Sequence, residues 1–230
     1  MKSMKINRPL QSRYQVIWDV STVLKLLSSW DNNLISLRLL GWKTVTLTAI
    51  AGASRGCEVV SFQTNRLQVV EDKAVFFFDK PGKTQKHKVA EPLIFPAFTS
   101  DQSICPVAAI TAYLSKTESL RDSSLNPNRK KDSQFFISSL KPHNSVGKST
   151  LANWVKQVLR ISGVDISKFK CHSVRSASTS KAHAQGAPLE TILKRGNWSS
   201  RHTWHRFYNR DIQGPEGRFQ DAVFGSGRFE

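Results

Sequence analysis

The feature that most limits how this chain can fold is a change of hydrophobic period partway along it. Before residue 61 apolar residues recur at three- and four-residue steps. Between residues 67 and 96 they give way to the short β-branched and aromatic runs LQVV, AVFFFD and KVAEPLIF, separated by turn chemistry that includes DKPG. From Cys105 onward the helical step returns. A block of short strands between helical stretches predicts a mainly α domain with a small antiparallel β-sheet, an α+β fold, with the sheet inserted in the first half.

The helical stretches can be placed individually. Val20, Val23, Leu24, Leu27 and Trp30 form one stripe, with Asp19 or Ser21 available as cap. A second runs from Leu34 through Leu40 and Val45 to Ile50 and ends in the small-residue turn AGAS, and a third short helix is expected from Arg55 to Ser61. CPVAAITAYLSKTESL predicts a long helix over 105–120, followed by a polar loop, RDSSLNPNRKKD, and a short strand in QFFIS. Beyond Lys148 the helices come in pieces: KSTLANWVKQVLRISG, CHSVRSASTSKAHAQG, PLETILKRG, SSRHTWHRFYNRD and a last short one in EGRFQDAVF. Gly163, Gly186 and Gly196 stand where helices should stop and Pro188 where one should start. Residues 1–13 are polar and basic without an apolar period and read as an arm, so the folded domain is expected over 14–230.

Charge narrows the partner. The chain carries 34 Lys and Arg against 17 Asp and Glu, a net +17, yet 39% of its 230 residues are apolar, which describes a folded body with a one-sided charge balance. The excess lies late: residues 121–230 hold 19 basic against 8 acidic side chains, residues 1–120 only 15 against 9. Double-stranded DNA is the expected partner, because each cation that neutralises a phosphate releases a counterion. No apolar run approaches the length of a bilayer span, so no membrane association is expected. Cys57, Cys105 and Cys171 are odd in number and widely spaced and read as free thiols of a reducing compartment. GKST at 147–150 is not a phosphate loop, since Pro142 stands where that loop needs glycine; Lys148 reads instead as a helix start, with Ser145 or Ser149 as cap. The six histidines show no metal-ligand spacing, and neither metal nor cofactor is expected.

The segment CHSVRSASTSKA carries the chemistry. His172 and Arg175, three apart, share a helix face one turn long, and the small residues around them let another chain approach closely. Taken alone the pair is weak. Elsewhere Arg55 follows a Gly/Ala/Ser turn with Glu58 three residues on to brace it, Trp198 follows a Gly-Asn turn, and Tyr208 stands among cations in HRFYNR.

In that order the boxes resemble the tyrosine recombinase (integrase) family over about residues 14–211. SRGCEVVSF resembles its first-arginine box, KPGKTQKHKVAEPL its lysine-bearing hairpin, HSVRSASTSKA its second-arginine box and GNWSSRHTWHRFY its terminal segment. CPVAAITAYLSKTESLR, LKPHNSVGKSTLANWVKQVL and WSSRHTWHRFYNR are similar in style to recombinases encoded by eukaryotic retrotransposons of the DIRS and Ngaro kind. The resemblance implies a metal-independent DNA strand transferase working in the nucleus, assembled with further copies on DNA, through a covalent 3′-phosphotyrosine.

It also implies roles. Arg55 and Arg175 would neutralise the scissile phosphate, and Trp198 would add an indole N–H or pack the pocket. Lys83 would protonate the leaving 5′ oxygen, with Lys80, Lys86 and Lys88 in the same loop. His172 would take or relay the phenol proton and Tyr208 would be the nucleophile. Lys80, Lys86, Lys88, Arg129, Lys130, Lys131, Lys148, Lys181 and Arg201 are expected on the DNA backbone. Family members carry a second, DNA-gripping helical domain ahead of the catalytic one, and here only about 13 residues precede the first helix, so the chain is expected to represent the catalytic half. A catalytically silent DNA-binding module of the same fold and an enzyme like type IB topoisomerases are the alternatives.

Overall fold

In a computed structural model of the chain, residues 14–79, 90–122 and 124–213 are described, apart from the Cys57 side chain. The expected arm at 1–13, the loop lysines Lys80, Lys83, Lys86 and Lys88, and the helix expected in EGRFQDAVF lie outside the described residues. The order of elements is β1 (Val16–Ile17), α1 (Val20–Ser28), α2 (Leu37–Gly52), α3 (Gly56–Val59), β2 (Leu67–Val70), β3 (Lys73–Phe76), β4 (Leu93–Pro96), α4 (Pro106–Arg121), α5 (Lys148–Ile161), α6 (Ser173–Ala184), α7 (Leu189–Arg195), α8 (Arg201–Phe207) and β5 (Asp211–Ile212). The expected α+β arrangement is what the chain adopts, with β2, β3 and β4 forming an antiparallel sheet in that order.

Helix α2 is the axis of the fold. It starts at Ser36, whose Oγ accepts from the Leu39 N–H at 3.4 Å, and it packs against α4, α5 and α6. Because it is enclosed on several sides, its buried residues include Lys43, Thr44, Thr46 and Thr48 beside Leu40, Val45 and Leu47. Each threonine hydroxyl donates to the carbonyl four residues back, at 2.8 Å, so a burial that would strand a polar group does not. The Lys43 ammonium donates to the Trp30 carbonyl, and burial holds its pKa below the usual lysine value. The helix ends at Ala53, which takes the left-handed conformation at φ 44°. Alanine carries a Cβ, so this conformation, which swings the chain back toward Arg55, costs roughly 1–2 kcal/mol.

The sheet closes one side of the core. Ala74 pairs with Phe95 across β3 and β4, and Ala74, Phe76 and Phe95 are wholly buried. Phe62 stacks on Phe76 with ring centres 3.9 Å apart, and Phe135 meets Phe76 edge-on at 5.3 Å. Each such ring removes enough apolar surface from water to contribute about 1.5–3 kcal/mol. The strand expected in QFFIS is absent as a ladder: isolated bridges join Gln63 to Gln134 and Ile137 to Ser145, while Phe135, Phe136 and Ile137 are all buried. Three consecutive buried apolar residues have no period of two. What fixes them is Tyr113 of α4, whose hydroxyl donates to the Ile137 carbonyl and accepts from its N–H, each at 3.1 Å, and whose pKa burial raises to about 12.

Two features bring the late helices onto this body. The parallel pairing of β1 with β5 sets Val16 against Asp211 and Ile17 against Ile212. A second small core of Ile192, Trp198 and Trp204 joins α7 to α8. Helix α5 is preceded by Gly147 rather than capped by Ser145 or Ser149. Among the described residues no helix is long and apolar enough to cross a membrane.

Candidate active site

Arg175 is the third residue of α6, and its side chain is 1% exposed. One guanidinium nitrogen, Nη1, donates to the Ala53 carbonyl at 2.6 Å and Nη2 donates to the Gly196 carbonyl. Both carbonyls belong to residues that end helices, α2 and α7, where unpaired C=O groups concentrate negative potential. The arginine is thus anchored by dipoles instead of by a carboxylate, and its charge is left to act on something else. Burial, and then the neighbouring Arg55, lower its pKa to about 10. Among the described residues its Nε has no hydrogen-bond partner.

Arg55 leads into α3, and Glu58 accepts from its backbone N–H at 2.6 Å and from its Nη1 at 3.1 Å. The carboxylate fixes the guanidinium while leaving it a fifth exposed. The expected helix over Arg55–Ser61 is the single turn Gly56–Val59, with Arg55 at its head.

Trp198 reaches the site by a turn in which Asn197 has φ 53°. The indole folds back over Gly196, where an added Cβ would sit 1.8 Å from the ring, so no other residue fits that position unmoved. The ring lies 3.9 Å from the Arg175 guanidinium carbon, and its Nε1 is buried with no partner among the described residues. Tyr208 follows the last turn of α8, which Ser200 starts by accepting from the Thr203 N–H at 3.4 Å. Its ring is 4.7 Å from Trp198, 5.3 Å from the Arg175 guanidinium carbon and 6.0 Å from the His172 ring. His172 is exposed at the start of α6.

Beside this cluster a cavity of about 410 Å³ is lined by Ser54, Arg55, Lys148, Cys171 and His172 over an apolar floor that includes Val45 and Val155. Lys148 opens α5 and its stem runs past Gly56, with Cε 3.6 Å from where a Cβ there would stand. Burial raises the Cys171 thiol to about 11, which keeps it protonated and unreactive near neutrality. Cys105 is also a free thiol. Among the described residues no group of three or more His, Cys, Asp or Glu is placed to hold a metal ion.

The structure therefore brings Arg55, His172, Arg175, Trp198 and Tyr208 to one place from three separate stretches of chain, and Lys148 to its edge. Lys83 and its neighbours in the β3–β4 loop lie outside the described residues. Of the remaining cations, Lys130, Lys131 and Arg201 are exposed, and Lys181 is held by Asp19 at 3.3 Å. Arg129 needs correction as a DNA-facing residue. Its side chain is 3% exposed, its Nε donates to the His143 carbonyl at 3.1 Å, and its Nη2 pairs with Asp132 at 3.2 Å. It staples the loop instead of facing solvent. Arg129→Ala should cost roughly 2 kcal/mol in urea unfolding by emptying a buried site and leaving the His143 carbonyl without its donor, while Asp132 keeps the Gln134 N–H. Lys130→Ala and Lys131→Ala should leave stability within about 0.5 kcal/mol. If these two lysines face the duplex backbone, each alanine change should lower the salt slope of its binding by about 0.9.

The sequence reading passed over two groups. Arg195 donates from Nε to the Ala51 carbonyl at 2.7 Å and from Nη1 to the Ile94 carbonyl at 2.6 Å, tying the Gly196–Trp198 turn to α2 and to β4. Ser176 and Ser180 both donate to the Tyr208 carbonyl. Neither has a sequence signature beyond its residue type.

No protein-family model matches the chain, and a search of curated proteins returns no match. Solved structures do match. A XerH site-specific recombinase bound to difH substrate in a pre-cleavage complex aligns over 96% of this chain and 57% of its own, at 14% identity and a TM-score of 0.59. The XerA recombinase aligns over 96% of this chain and 68% of its own, at 13% identity and a TM-score of 0.62. A lambda integrase dimer bound to a COC′ core site aligns over 89% of this chain and 51% of its own, at 13% identity and a TM-score of 0.53. The chain thus spans a little over half the length of the XerH and lambda integrase chains. At these identities the likeness is one of fold, and the fold is that of tyrosine recombinase catalytic domains.

Proposed function

We propose that a chain with this fold and these clustered side chains is a DNA strand transferase, cleaving and rejoining double-stranded DNA through a 3′-phosphotyrosine. The observation that carries the reading is Arg175: a buried guanidinium anchored by two carbonyls, beside a second guanidinium and within 5.3 Å of a tyrosine ring. A cation desolvated at such cost, with like charge next to it, suits a site that receives an anion.

The reaction that fits is in-line displacement at a phosphodiester. The Tyr208 oxygen attacks phosphorus and gives up its proton to His172. The bond to the 5′ oxygen breaks, and that oxygen takes a proton from the loop lysine, for which Lys83 is proposed. Arg55 and Arg175 offer N–H groups to the non-bridging oxygens, where charge builds up in the pentacoordinate transition state. Trp198 supplies a further N–H or walls the pocket. The products, a phosphotyrosyl ester and a free 5′ hydroxyl, conserve the bond energy, so a 5′ hydroxyl from another strand can reverse the step. None of these steps calls on a metal ion. Lys130, Lys131, Lys148 and Arg201 would meet the flanking phosphates, with Lys181 beside them once it exchanges Asp19 for phosphate.

The DNA-bound state of the XerH and lambda integrase neighbours supports DNA as substrate, and the lambda integrase dimer supports assembly with further copies. The retrotransposon-like wording of the boxes, a nuclear location and the assignment of residues 14–230 as a catalytic half belong to the same reading. A nicked duplex from which the released 5′ fragment diffuses away tests it. The protein should become covalently attached to the DNA in a denaturing gel, without added metal. Duplex binding with no adduct would favour the silent module, and relaxation of supercoiled DNA without joining of partner sites would favour the topoisomerase-like reading.

A further inference from the structure

The chain immediately after Tyr208 is fastened to the same helix that carries Arg175. Helix α8 ends at Tyr208, whose own carbonyl has no acceptor role left within the helix. Two buried hydroxyls of α6 take its place: Ser176 Oγ donates to the Tyr208 carbonyl at 2.5 Å and Ser180 Oγ at 3.0 Å. Ser180 Oγ then accepts from the Arg210 N–H at 2.9 Å. The serines are 3% and 2% exposed and four residues apart, so they stand one above the other on one face of the helix. Arg175, next to Ser176, holds the Gly196 carbonyl and lies under Trp198. One helix therefore sets both the phosphate-facing guanidinium and the backbone of the tyrosine.

The fastening continues past Arg210. Strand β5 pairs with β1, and the Gln213 N–H donates to the Ile17 carbonyl at 2.6 Å. Strand β1 is in turn tied to α6, because the Trp18 indole N–H donates to Ser173 Oγ at 2.8 Å. Passing Tyr208 to a neighbouring subunit would require breaking all of these bonds and baring two buried hydroxyls.

We infer that Ser176 and Ser180 are positioning residues that hold Tyr208 for attack on the phosphate bound by its own subunit. The inference rests on the strand-transfer reading, but its structural half can be measured without activity. In the full chain, Ser176→Ala/Ser180→Ala should speed amide hydrogen exchange at Arg210 at least tenfold while α2 amides keep their protection. Unchanged exchange at Arg210 would overturn the clamp. On the nicked duplex the same variant should form adduct at least tenfold more slowly than wild type, with duplex affinity within twofold. Ser180→Thr, which keeps the hydroxyl, should form adduct faster than the single variant Ser180→Ala; an equal loss in the two would count against a positioning role.

Delivery within the subunit is read by mixing two inactive proteins, Arg175→Lys and Tyr208→Phe, on that duplex. The mixture should give no more adduct than either alone. Adduct well above both would show tyrosine exchange between subunits and overturn the inference. A wild-type protein that forms no adduct, yet shows the serine-dependent protection at Arg210, would instead remove the strand-transfer reading and leave the clamp in place as structure.

Discussion

Arg175→Lys should slow strand cleavage by at least about a thousandfold while duplex affinity stays within about threefold. The asymmetry follows from where the guanidinium is needed. In the ground state one buried cation adds little to a surface with a net charge of +17. In the proposed transition state the non-bridging oxygens gain charge, and a planar fork already oriented by the Ala53 and Gly196 carbonyls would meet it without reorganising. A lysine cannot hold both carbonyls and face the phosphate with the same geometry. Single-turnover cleavage rates beside filter-binding affinities check this; equal losses in both would mean that Arg175 merely binds.

The same residue gives a pH dependence with a definite sign. Its pKa falls well below the ordinary arginine value, to about 10, chiefly through burial and next through Arg55. The folded protein therefore holds this proton less tightly than the unfolded chain. Below pH 10 the buried charge costs stability, and that cost is relieved as pH rises past 10 toward the ordinary arginine value, where the unfolded state binds more protons. The proposed cleavage needs the charged form, so loss of this proton at high pH should also work against it. An anion in the site should oppose the loss by favouring the charged form.

Tyr208→Phe should abolish adduct formation and leave the fold and the binding intact. The phenylalanine ring keeps the packing against Trp198, 4.7 Å away, and the Ser176 and Ser180 bonds go to a backbone carbonyl that the substitution retains. Stability should fall by no more than about 1.5 kcal/mol, since the hydroxyl's hydrogen bond to the Arg175 guanidinium is lost. What disappears is the oxygen proposed to form the ester. Residual adduct above background would place the nucleophile elsewhere.

Much of this arrangement could be read from the residues, and the reasons differ by element. Helices α4, α5 and α6 show in the sequence because each is near or above three turns, long enough for a 3.6-residue step to stand out. The sheet shows because LQVV, AVFFFD and LIF are rich in β-branched and aromatic residues. QFFIS misled for a related reason, since the same residue types also fill a core without pairing. The β1–β5 pair spans two residues on each side and joins segments almost 200 positions apart, which no local pattern can announce. Arg129 sits in a loop full of turn formers and cations, and nothing in RDSSLNPNRKKD tells the buried arginine from the exposed lysines.

The site divides in the same way. Arg55, His172, Arg175, Trp198 and Tyr208 could be selected because their residue types match a phosphoryl-transfer need and their order resembles a family. Ser176 and Ser180 matched no such need. The small residues of SASTS predicted close approach by another chain, and the approach they permit is by the Tyr208 segment of this one. Arg195 likewise reads as one more surface cation until its two carbonyl partners are seen.

Mapping the covalent bond tests the central claim most directly. Wild-type protein would be trapped on a nicked duplex, digested with protease and nuclease, and the nucleotide-bearing peptide sequenced by mass spectrometry. The expected peptide contains Tyr208 esterified to a 3′ phosphate, with a free 5′ hydroxyl left on the other fragment. A nucleotide on any other residue, a 5′-phosphate linkage, or saturated duplex binding with no modified peptide would contradict it.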